Sequence, residues 1–286
     1  MYPAQFEYHK AGSVKEALDL LAKHKDDAKV LAGGHSLLPA MKLRLAQPKH
    51  VIDIGKISSL SGVKEEGGTL VIGALTTHYA IESSAVLKSK CPLMPEVAGH
   101  IGDPMVRNMG TLGGSLAHAD PAADWPAAVI ALGAEMVAEG PKGKRTIKID
   151  DFFKGLLTTA LADDEILTEI RVPVAAANVK AAYAKFPHPA SRFAVVGVAA
   201  VLTMDGGKIG KASIGLTGAG TKAMRAKGVE AAIAGKAADA ASIQAAAEKA
   251  ADGIDVQADL QGSVEYKQHL LRVFAKRAME AAAAKK

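Results

Sequence analysis

The chain has a single cysteine, Cys91, among its 286 residues. A lone cysteine excludes a disulfide within the chain. It also excludes an iron–sulfur cluster or a zinc site held by several thiolates of this chain. Any such centre on which the protein depends must therefore belong to another polypeptide.

Long apolar runs are missing as well. No stretch approaches the roughly 18 consecutive apolar residues that predict a membrane span, and residues 1–7 lack the charged-then-apolar pattern of a secretory signal. We therefore expect a cytoplasmic protein without a membrane span. The composition, 49% hydrophobic and 23% charged, is typical of a globular protein, and the length suits one large domain or two ordinary ones.

The positive charge is not concentrated. The formal net charge of +5 is spread along the chain, and basic clusters are as short as residues 142–145, Lys-Gly-Lys-Arg. Nucleic-acid binding proteins usually carry a concentrated basic face. No nucleic-acid partner is therefore expected.

Two glycine-rich segments carry most of the functional information. The first glycine segment is residues 32–36, Ala-Gly-Gly-His-Ser, and the second glycine segment is residues 111–115, Thr-Leu-Gly-Gly-Ser. Glycine lets main-chain N–H groups approach phosphate oxygens without a Cβ in the way, and each segment adds a hydroxyl group. Two such segments predict a ligand with two phosphates held from both sides, which favours a dinucleotide.

The order of predicted elements divides the chain into two parts. Residues 28–54 predict a strand, the first glycine segment, a helix and a second strand, which is the order of a parallel β-α-β unit. Residues 69–172 predict the shorter strands and helices of an α+β region. Residues 193–217 then predict a strand hairpin with a glycine-rich turn, and the alanine-rich remainder predicts helices. We therefore expect a domain boundary near residue 176.

Two helix predictions are specific. Ser13 and Glu16 have the spacing of a capping box, and apolar residues at helical spacing follow. A helix is therefore expected to begin after Ser13. A further helix is expected over residues 77–86.

A third glycine-rich segment, residues 218–223 (Gly-Ala-Gly-Thr-Lys-Ala), suggests a different function. It matches G-x-G-x-x-A after a predicted strand and before a predicted helix, which is most of a Rossmann fingerprint. The fingerprint also needs a second parallel strand that ends in an acidic residue about 20 positions later, and the region near Asp239 predicts only helix. A tight strand-to-helix connection is favoured, with a pyridine-nucleotide-binding module as the alternative.

Other catalytic patterns are incomplete. Neither glycine segment completes the G-x-S-x-G elbow of serine hydrolases, and no catalytic residue is assigned. His118, Asp120 and Asp124 form a weak ligand set because only one histidine accompanies two carboxylates, so no metal site is predicted. His35 can contact a phosphate or a ribityl hydroxyl, or it can hydrogen-bond the local backbone.

Several segments together resemble the FAD-binding medium subunits of molybdenum hydroxylases, the xanthine oxidase family, and within it the carbon monoxide dehydrogenase branch. The segments span nearly the whole chain. They are residues 32–39 (AGGHSLLP), 111–124 (TLGGSLAHADPAAD), 165–170 (EILTEI), 185–193 (KFPHPASRF) and 265–270 (EYKQHL).

The resemblance implies an α+β fold of the vanillyl-alcohol-oxidase or PCMH type. Residues 1–176 would form the FAD-binding domain, with α+β subdomains of about 1–56 and about 57–176. Residues 177–286 would form a C-terminal α+β domain of antiparallel sheet and helices, of the carbon monoxide dehydrogenase type.

The resemblance also implies that the chain holds FAD non-covalently. Both glycine segments would surround the pyrophosphate, and the hydroxyls of Ser36, Thr111 and Ser115 would add donors. The predicted cofactor-binding residues are Ala32, Gly33, Gly34, His35, Ser36, Ile101, Thr111, Leu112, Gly113, Gly114, Ser115, Asp124, Leu161, Lys185 and Phe193.

The remaining roles concern the sugar and the flavin ring. By the resemblance, Asp124 would bind a sugar or ribityl hydroxyl, and Ile101 and Leu161 would pack near the flavin. Lys185 would lie near the isoalloxazine, where a positive charge favours the anionic reduced ring. Phe193 would lie beside the ring at a position where the family often has tyrosine, whose hydroxyl is missing here.

The same resemblance implies partner subunits. A large subunit would hold the molybdopterin cofactor, and a small subunit would hold two [2Fe–2S] clusters, in a dimer of heterotrimers. Electrons would pass from the clusters through FAD to an external acceptor, either a quinone, a cytochrome or oxygen. The substrate would be carbon monoxide, with an N-heterocycle or an aldehyde as alternatives. The complex would be cytoplasmic, with contact to the inner face of the membrane through its partners.

A further alternative is a scaffold subunit that keeps the fold but has lost FAD. The chain retains Ser36, Thr111, Ser115 and Asp124. Their presence disfavours this alternative.

Overall fold

The computed structural model describes residues 1–285 of the chain. The strands are β1 (Glu7–Lys10), β2 (Ala28–Leu31), β3 (His50–Asp53), β4 (Val63–Glu66), β5 (Thr69–Gly73), β6 (Glu135–Gly140), β7 (Gly143–Lys148), β8 (Phe153–Gly155), β9 (Thr158–Thr159), β10 (Ile166–Pro173), β11 (Val179–Pro187), β12 (Ala194–Asp205), β13 (Lys208–Thr217), β14 (Met224–Arg225) and β15 (Lys236–Ala237). The α-helices are α1 (Val14–His24), α2 (Leu37–Lys42), α3 (His78–Ser83), α4 (Ala85–Lys90), α5 (Leu93–His100), α6 (Pro104–Met109), α7 (Leu112–His118), α8 (Asp124–Leu132), α9 (Ile149–Phe152), α10 (Lys227–Ile233), α11 (Ala240–Ala247) and α12 (Val264–Ala284). Short 3₁₀ turns lie at Lys25–Asp27 and Ser58–Leu60.

The N-terminal layer is a three-stranded parallel sheet in the order β1-β3-β2. Strand β2, the first glycine segment, α2 and β3 form the predicted parallel unit. Helix α1 packs on this sheet through the buried side chains of Ala17, Leu18 and Leu21. The core of the layer is small, which suits a region of short strands.

The start of α1 follows the capping prediction with one difference. The hydroxyl of Ser13 accepts a hydrogen bond from the amide of Glu16 at 3.1 Å, as expected. The Glu16 carboxylate, however, accepts from the amide of Gly12 at 2.7 Å. In the standard capping box this carboxylate accepts from the amide of the N-cap residue itself. Here it accepts from the amide one residue earlier in the chain.

The middle layer is a five-stranded antiparallel sheet in the order β4-β5-β10-β6-β7, covered by helices. The single helix expected over residues 77–86 is wrong, because two helices, α3 and α4, occupy this stretch and continue to Lys90. Ser84 has an extended backbone and accepts from the amide of Leu87 at 3.3 Å, so it starts a new helix rather than continuing the old one.

The C-terminal layer is an antiparallel sheet in the order β11-β12-β13-β14, with β15 added beside β13. Strands β12 and β13 form the predicted hairpin. Its turn contains Gly206 and Gly207, both with positive φ (53° and 84°), the conformation that a tight hairpin turn requires. Helix α12 packs against β11 and β12 and contributes buried residues from Leu270 to Ala282.

The middle and C-terminal layers share helix α8. This helix is buried along almost its whole length and contacts β12 and β13 as well as the middle layer. A Cβ on Gly215 of β13 would lie 2.0 Å from the carbonyl oxygen of Ala127 in α8, so only glycine allows this approach. The N-terminal end of α8, at Asp124, is thereby held between the two sheets.

The third glycine-rich segment is not a nucleotide-binding loop. It follows β13, which pairs antiparallel with β12, and the two-residue strand β14 follows it instead of the expected helix. Gly218 has φ +89°, and its amide donates to the carbonyl of Pro121 at 2.6 Å. Since the Rossmann site needs parallel strands and a helix N-terminus aimed at the phosphates, the pyridine-nucleotide alternative is wrong for this segment.

The predicted division of the chain stays a prediction. The stretch between β10 and β11, residues 174–178, contains the expected boundary near 176, and the expected subdomain division near 56 follows β3. In residues 1–285, no helix is both long and apolar enough to cross a membrane.

Candidate FAD site

A cleft of about 530 Å³ lies where the layers meet. Residues from all three layers line it, including both glycine segments, the N-terminal end of α8, and Phe193 beside the C-terminal sheet. Its volume falls within the range of about 300–1,000 Å³ that small-molecule and cofactor sites occupy. The cleft is therefore large enough to take much of a dinucleotide.

The first glycine segment passes directly against the chain that leads into the second. A Cβ on Gly33 would lie 2.1 Å from the carbonyl oxygen of Met109 and 2.9 Å from Cα of Gly110. Real Cβ atoms are not found at such distances from backbone, so residue 33 must be glycine for the two segments to meet. Gly34 has φ +78°, a conformation that side chains rarely adopt.

Four consecutive amides of the first glycine segment have no acceptor within residues 1–285. They belong to Gly33, Gly34, His35 and Ser36, immediately before α2. The Ser36 hydroxyl makes no capping hydrogen bond at this helix start. His35 is exposed, and its Nδ1 lies 3.2 Å from the carbonyl oxygen of Gly33. Of the two roles considered for His35, this contact corresponds to the hydrogen bond with the local backbone. Because unpaired backbone amides favour anions, this segment is a donor set suited to phosphate oxygens.

The second glycine segment is a helix start rather than an open turn. Thr111 is the N-cap of α7, and its hydroxyl accepts from the amide of Gly114 at 3.1 Å. The amides of Leu112, Gly113 and Ser115 donate to backbone carbonyls. The expectation that this segment also offers free amides is therefore wrong for residues 112–115, whose amides are used by carbonyls that follow β5 and by Thr111 itself; within residues 1–285 only the amide of Thr111 in this segment has no acceptor.

The second glycine segment contributes close approach and hydroxyl groups instead. A Cβ on Gly113 would lie 2.4 Å from Cβ of Ala74, so this helix start lies tightly against the middle sheet. The Ser115 hydroxyl has no partner within the described chain, and the Thr111 oxygen can still donate its own proton. Both hydroxyls belong to residues that line the cleft.

Apolar side chains line other parts of the cleft. Ile101 and Leu161 are half-buried, and Phe193 is 44% exposed. Leu157, which the sequence did not single out, also lines the cleft and has φ +51°. These residues form surfaces against which a flat ring can pack.

Within residues 1–285, Asp124 is the one buried carboxylate that lines the cleft. Tyr183 donates its hydroxyl to Oδ1 at 2.5 Å, and Lys185 donates from Nζ to Oδ2 at 2.8 Å. Lys185 also donates to the carbonyl of His100 at 3.0 Å, and its side chain is 2% exposed. A carboxylate has about four acceptor positions, so Asp124 retains acceptor capacity toward the cleft.

The charges of this group follow from burial. Burial raises the pKa of Asp124, and the ammonium of Lys185 opposes that rise. Burial and the neighbouring Asp124 charge hold the pKa of Tyr183 well above its ordinary value, so the phenol stays protonated and donates. Asp124 and Lys185 form a buried ion pair whose geometry Tyr183 and the His100 carbonyl complete.

Two predicted residues do not line the cleft. Leu112 is fully buried in the core of the middle layer. Lys185 lies behind Asp124, so its charge reaches the cleft only through that carboxylate. The other predicted residues all line the cleft, and their role toward FAD stays a prediction. His118, Asp120 and Asp124 do not bring three ligand atoms together in the described chain.

His78 is a cleft residue that sequence reasoning missed. It is the first residue of α3 and 5% exposed, and its Nδ1 accepts from the indole N–H of Trp125 at 3.0 Å. This contact places the remaining proton of the neutral ring on Nε2, beside Gly110. The local sequence indicates only that His78 follows a helix N-cap, Thr77. Its indole partner lies 47 residues away in the chain, so no local pattern predicts the contact.

His78 makes the stability of the chain dependent on pH. Burial, with smaller contributions from His35 and Arg107, lowers its pKa from 6.5 to about 4. Between these values the unfolded chain binds a proton that the folded chain does not, so the free energy of unfolding falls as pH falls. We expect a loss of about 2–3 kcal/mol between pH 7 and pH 4.5 from this residue.

Urea unfolding of the apoprotein at both pH values checks this expectation. In the His78→Asn variant, whose amide oxygen can still accept from Trp125, the loss between pH 7 and pH 4.5 should be smaller by about that amount. His269→Ala, at an exposed position on α12, is the control and should behave as the unmodified chain. Equal pH dependence in all three proteins would contradict the assignment.

The residues present fit FAD. The four unpaired amides before α2 and the hydroxyls of Ser36 and Ser115 make a donor set for a diphosphate, and the missing Cβ at Gly33 lets the two glycine segments lie side by side. The apolar residues around the rest of the cleft suit a ring system. The chain supplies polar and apolar groups in the arrangement that a dinucleotide needs.

Comparison with known proteins agrees with this chemistry. Residues 4–175 match the family described as "FAD binding domain in molybdopterin dehydrogenase", and residues 181–282 match the "CO dehydrogenase flavoprotein C-terminal domain". The two matches cover most of the chain and meet near the stretch between β10 and β11.

Individual relatives are similar over their full length. The carbon monoxide dehydrogenase medium chain of Hydrogenophaga pseudoflava is 44% identical over 99% of this chain and 98% of the relative. A chain of the solved carbon monoxide dehydrogenase from the same organism superposes with a TM-score of 0.97 at 46% identity, covering 99% of both chains. The glyceraldehyde dehydrogenase medium chain of Sulfolobus acidocaldarius is 37% identical over 98% of this chain and 99% of the relative.

A more distant solved structure has the same fold. A chain of quinoline 2-oxidoreductase from Pseudomonas putida 86 superposes with a TM-score of 0.93 at 32% identity, covering 99% of this chain and 98% of the other. The α+β fold of the FAD-binding and C-terminal parts is therefore confirmed. The chain belongs to the family of FAD-binding medium subunits of molybdenum hydroxylases.

Proposed function

We propose that this chain carries electrons from iron–sulfur clusters of a small partner subunit, through non-covalently bound FAD, to an external acceptor. The observation that carries the proposal is the cleft itself, which is lined by four residues whose amides have no acceptor within residues 1–285, with the second glycine segment held close to them at Gly33. Bound FAD supplies the redox chemistry, since flavins exchange both electron pairs and single electrons. The chain supplies position, charge and exclusion of water.

Each part of the cleft has a defined task in this proposal. The amides of residues 33–36 and the hydroxyls of Ser36, Thr111 and Ser115 hold the pyrophosphate. Asp124, oriented by Tyr183 and Lys185, accepts from a sugar or ribityl hydroxyl. Ile101, Leu161 and Phe193 pack near the ring and exclude water from it. Leu112 and Lys185 do not line the cleft, so Leu112 supports it from the core of the middle layer and Lys185 supports it through its ion pair with Asp124.

Partner subunits are required because the single cysteine cannot hold an iron–sulfur cluster. We place the molybdopterin cofactor in a large subunit and two [2Fe–2S] clusters in a small one, with a dimer of heterotrimers as the assembly. The acceptor is a quinone or a cytochrome. The complex works in the cytoplasm, where its partners bring it to the inner face of the membrane.

Carbon monoxide is the proposed substrate of the complex. The support is the full-length similarity to a carbon monoxide dehydrogenase medium chain. The substrate is oxidised at the large subunit, so the residues of this chain do not select it. The names of the quinoline and glyceraldehyde enzymes support an N-heterocycle or an aldehyde as the alternatives.

Purification of the chain with its native partners tests the proposal. We expect flavin and iron–sulfur absorbance, release of FAD on acid treatment, and bleaching of the flavin band when carbon monoxide is added without oxygen. Bleaching by quinoline or glyceraldehyde instead would move the substrate to the corresponding alternative. A colourless chain that does not take up added FAD would contradict the flavin function altogether.

A further inference from the structure

Three histidines converge on the N-terminal sheet, away from the cleft. His9 lies two residues after Glu7 in β1, so the two side chains share one face of the strand. His50 begins β3 and is the direct cross-strand partner of Glu7. His24 ends α1, the helix that packs on this sheet.

The imidazole nitrogens lie within ligand-like distances of one another. Nε2 of His9 and Nδ1 of His50 are 3.1 Å apart, and one ligand nitrogen from each of the three rings lies within 4.8 Å of the others. The rings of His24 and His50 have centroids 3.6 Å apart. The three side chains are half-buried, so they keep access to solvent while sharing a protected space.

A carboxylate completes the set. Oε2 of Glu7 lies 3.4 Å from Nδ1 of His50 and 4.0 Å from Nε2 of His9. The Glu7 side chain is 73% exposed, so it can move by rotation about its own bonds. A tetrahedral metal with nitrogen ligands at about 2.0–2.1 Å has ligand atoms about 3.3 Å apart. The His9–His50 and His50–Glu7 separations of 3.1 Å and 3.4 Å are already close to this value, whereas the Glu7–His9 separation of 4.0 Å and the separations of up to 4.8 Å among the three rings must shorten by side-chain rotation.

One nitrogen in this cluster lacks a partner. Nε2 of His24 is buried and makes no hydrogen bond within residues 1–285. Buried polar atoms are normally paired, and an orphan suggests a binding site for an ion or a water molecule. Hydrogen bonding between His9 and His50 leaves this atom unexplained, whereas a shared metal ion would pair all three rings.

We propose that Glu7, His9, His24 and His50 form a binding site for a divalent transition-metal ion of the zinc type. Imidazole nitrogens with one carboxylate oxygen are a donor set that suits Zn²⁺ and neighbouring transition metals rather than Mg²⁺. Small rotations of the side chains bring the four groups to coordination distance. None of the four residues lines the cleft, so the site is separate from the proposed flavin function.

Metal titration of the full chain, stripped with a chelator, tests the site. With ZnCl₂ in a calorimeter we expect saturable binding of about one ion per chain, and with Co²⁺ we expect the intense visible absorption of a tetrahedral complex. MgCl₂ should give no saturable heat. His24→Asn and His50→Asn should each weaken Zn²⁺ binding by more than about tenfold, since even the loss of a group that only supports a ligand costs that much.

Two further variants keep the test decisive. Glu7→Gln changes an exposed side chain and so leaves folding intact, and it should also weaken Zn²⁺ binding. His269→Ala, the matched control on α12, should bind Zn²⁺ as the unmodified chain does. Zn²⁺ should raise the melting temperature of the unmodified chain and of the control, but not of His24→Asn. Absence of saturable Zn²⁺ binding by the unmodified chain would overturn the proposal. So would a Zn²⁺ affinity of the Glu7 and histidine variants that equals the affinity of the unmodified chain, and the cluster would then be only a hydrogen-bonded group.

Discussion

Replacing Gly33 by valine is expected to leave the chain folded but unable to retain FAD. The new side chain would strike the carbonyl of Met109, which is backbone and cannot rotate away. The first glycine segment must then move away from the second, and its amides leave the phosphate. Loss of two charge-assisted hydrogen bonds at about 1.5–3 kcal/mol each lowers affinity by about 100-fold or more.

The flavin-to-protein ratio of the purified variant measures this effect, with circular dichroism and thermal melting as the test of folding. Gly12→Ala is the matched control, because its Cβ would make only an ordinary 3.5 Å contact with Glu16 outside the cleft. We expect full FAD content in the control. Full FAD occupancy in a folded Gly33→Val chain would refute the pyrophosphate assignment.

Replacing Asp124 by alanine is expected to destabilise the apoprotein by about 3–5 kcal/mol, since it leaves the Lys185 ammonium buried and unpaired. The Lys185 side chain is 2% exposed and has no other carboxylate partner among its contacts in the described chain. Replacing both residues, as Asp124→Ala with Lys185→Met, removes the isolated charge. The double variant should therefore lose clearly less than the sum of the two single variants.

Urea unfolding of the unmodified chain, both single variants and the double variant gives the four free energies of unfolding of a double-mutant cycle. Asp19→Ala is the control, because its ion pair with Lys15 is exposed at both ends and should contribute less than about 1 kcal/mol. The Asp124 variant should also bind FAD more weakly through the loss of a sugar or ribityl contact. Additive losses across the cycle would show that the buried pair is not coupled.

Local features of the fold could be predicted from the sequence. The parallel unit around the first glycine segment and the hairpin at Gly206 and Gly207 depend on residues close together in the chain, and both are present. The helix start after Ser13 is local too, although the Glu16 carboxylate bonds a different amide than expected.

Features that depend on distant partners could not be predicted. The amides of Leu112 and Gly113 are occupied because the carbonyls of Thr76 and Ala74 reach them, and no local pattern indicates this. The third glycine-rich segment resembled a nucleotide loop until the antiparallel pairing of β13 was known. The ring of His78 is hydrogen-bonded to the indole of Trp125, which lies 47 residues further along the chain.

The site itself was predictable mainly through the family resemblance. The two glycine segments alone favoured a dinucleotide, and the resemblance supplied the roles of Asp124, Lys185 and the apolar positions. Their mutual contacts required the structure, because Tyr183 and Lys185 reach Asp124 from a strand about 60 residues further along the chain.

The contact between α8 and β13 limits how far this chain can be treated as interchangeable modules. A chimera that kept residues 1–176 and took its C-terminal part from a relative would set a foreign strand against α8. At position 215 any side chain would collide with the Ala127 carbonyl. Such a chimera tolerates the exchange only when the incoming strand carries glycine at that point, so the two parts must be inherited as a matched pair.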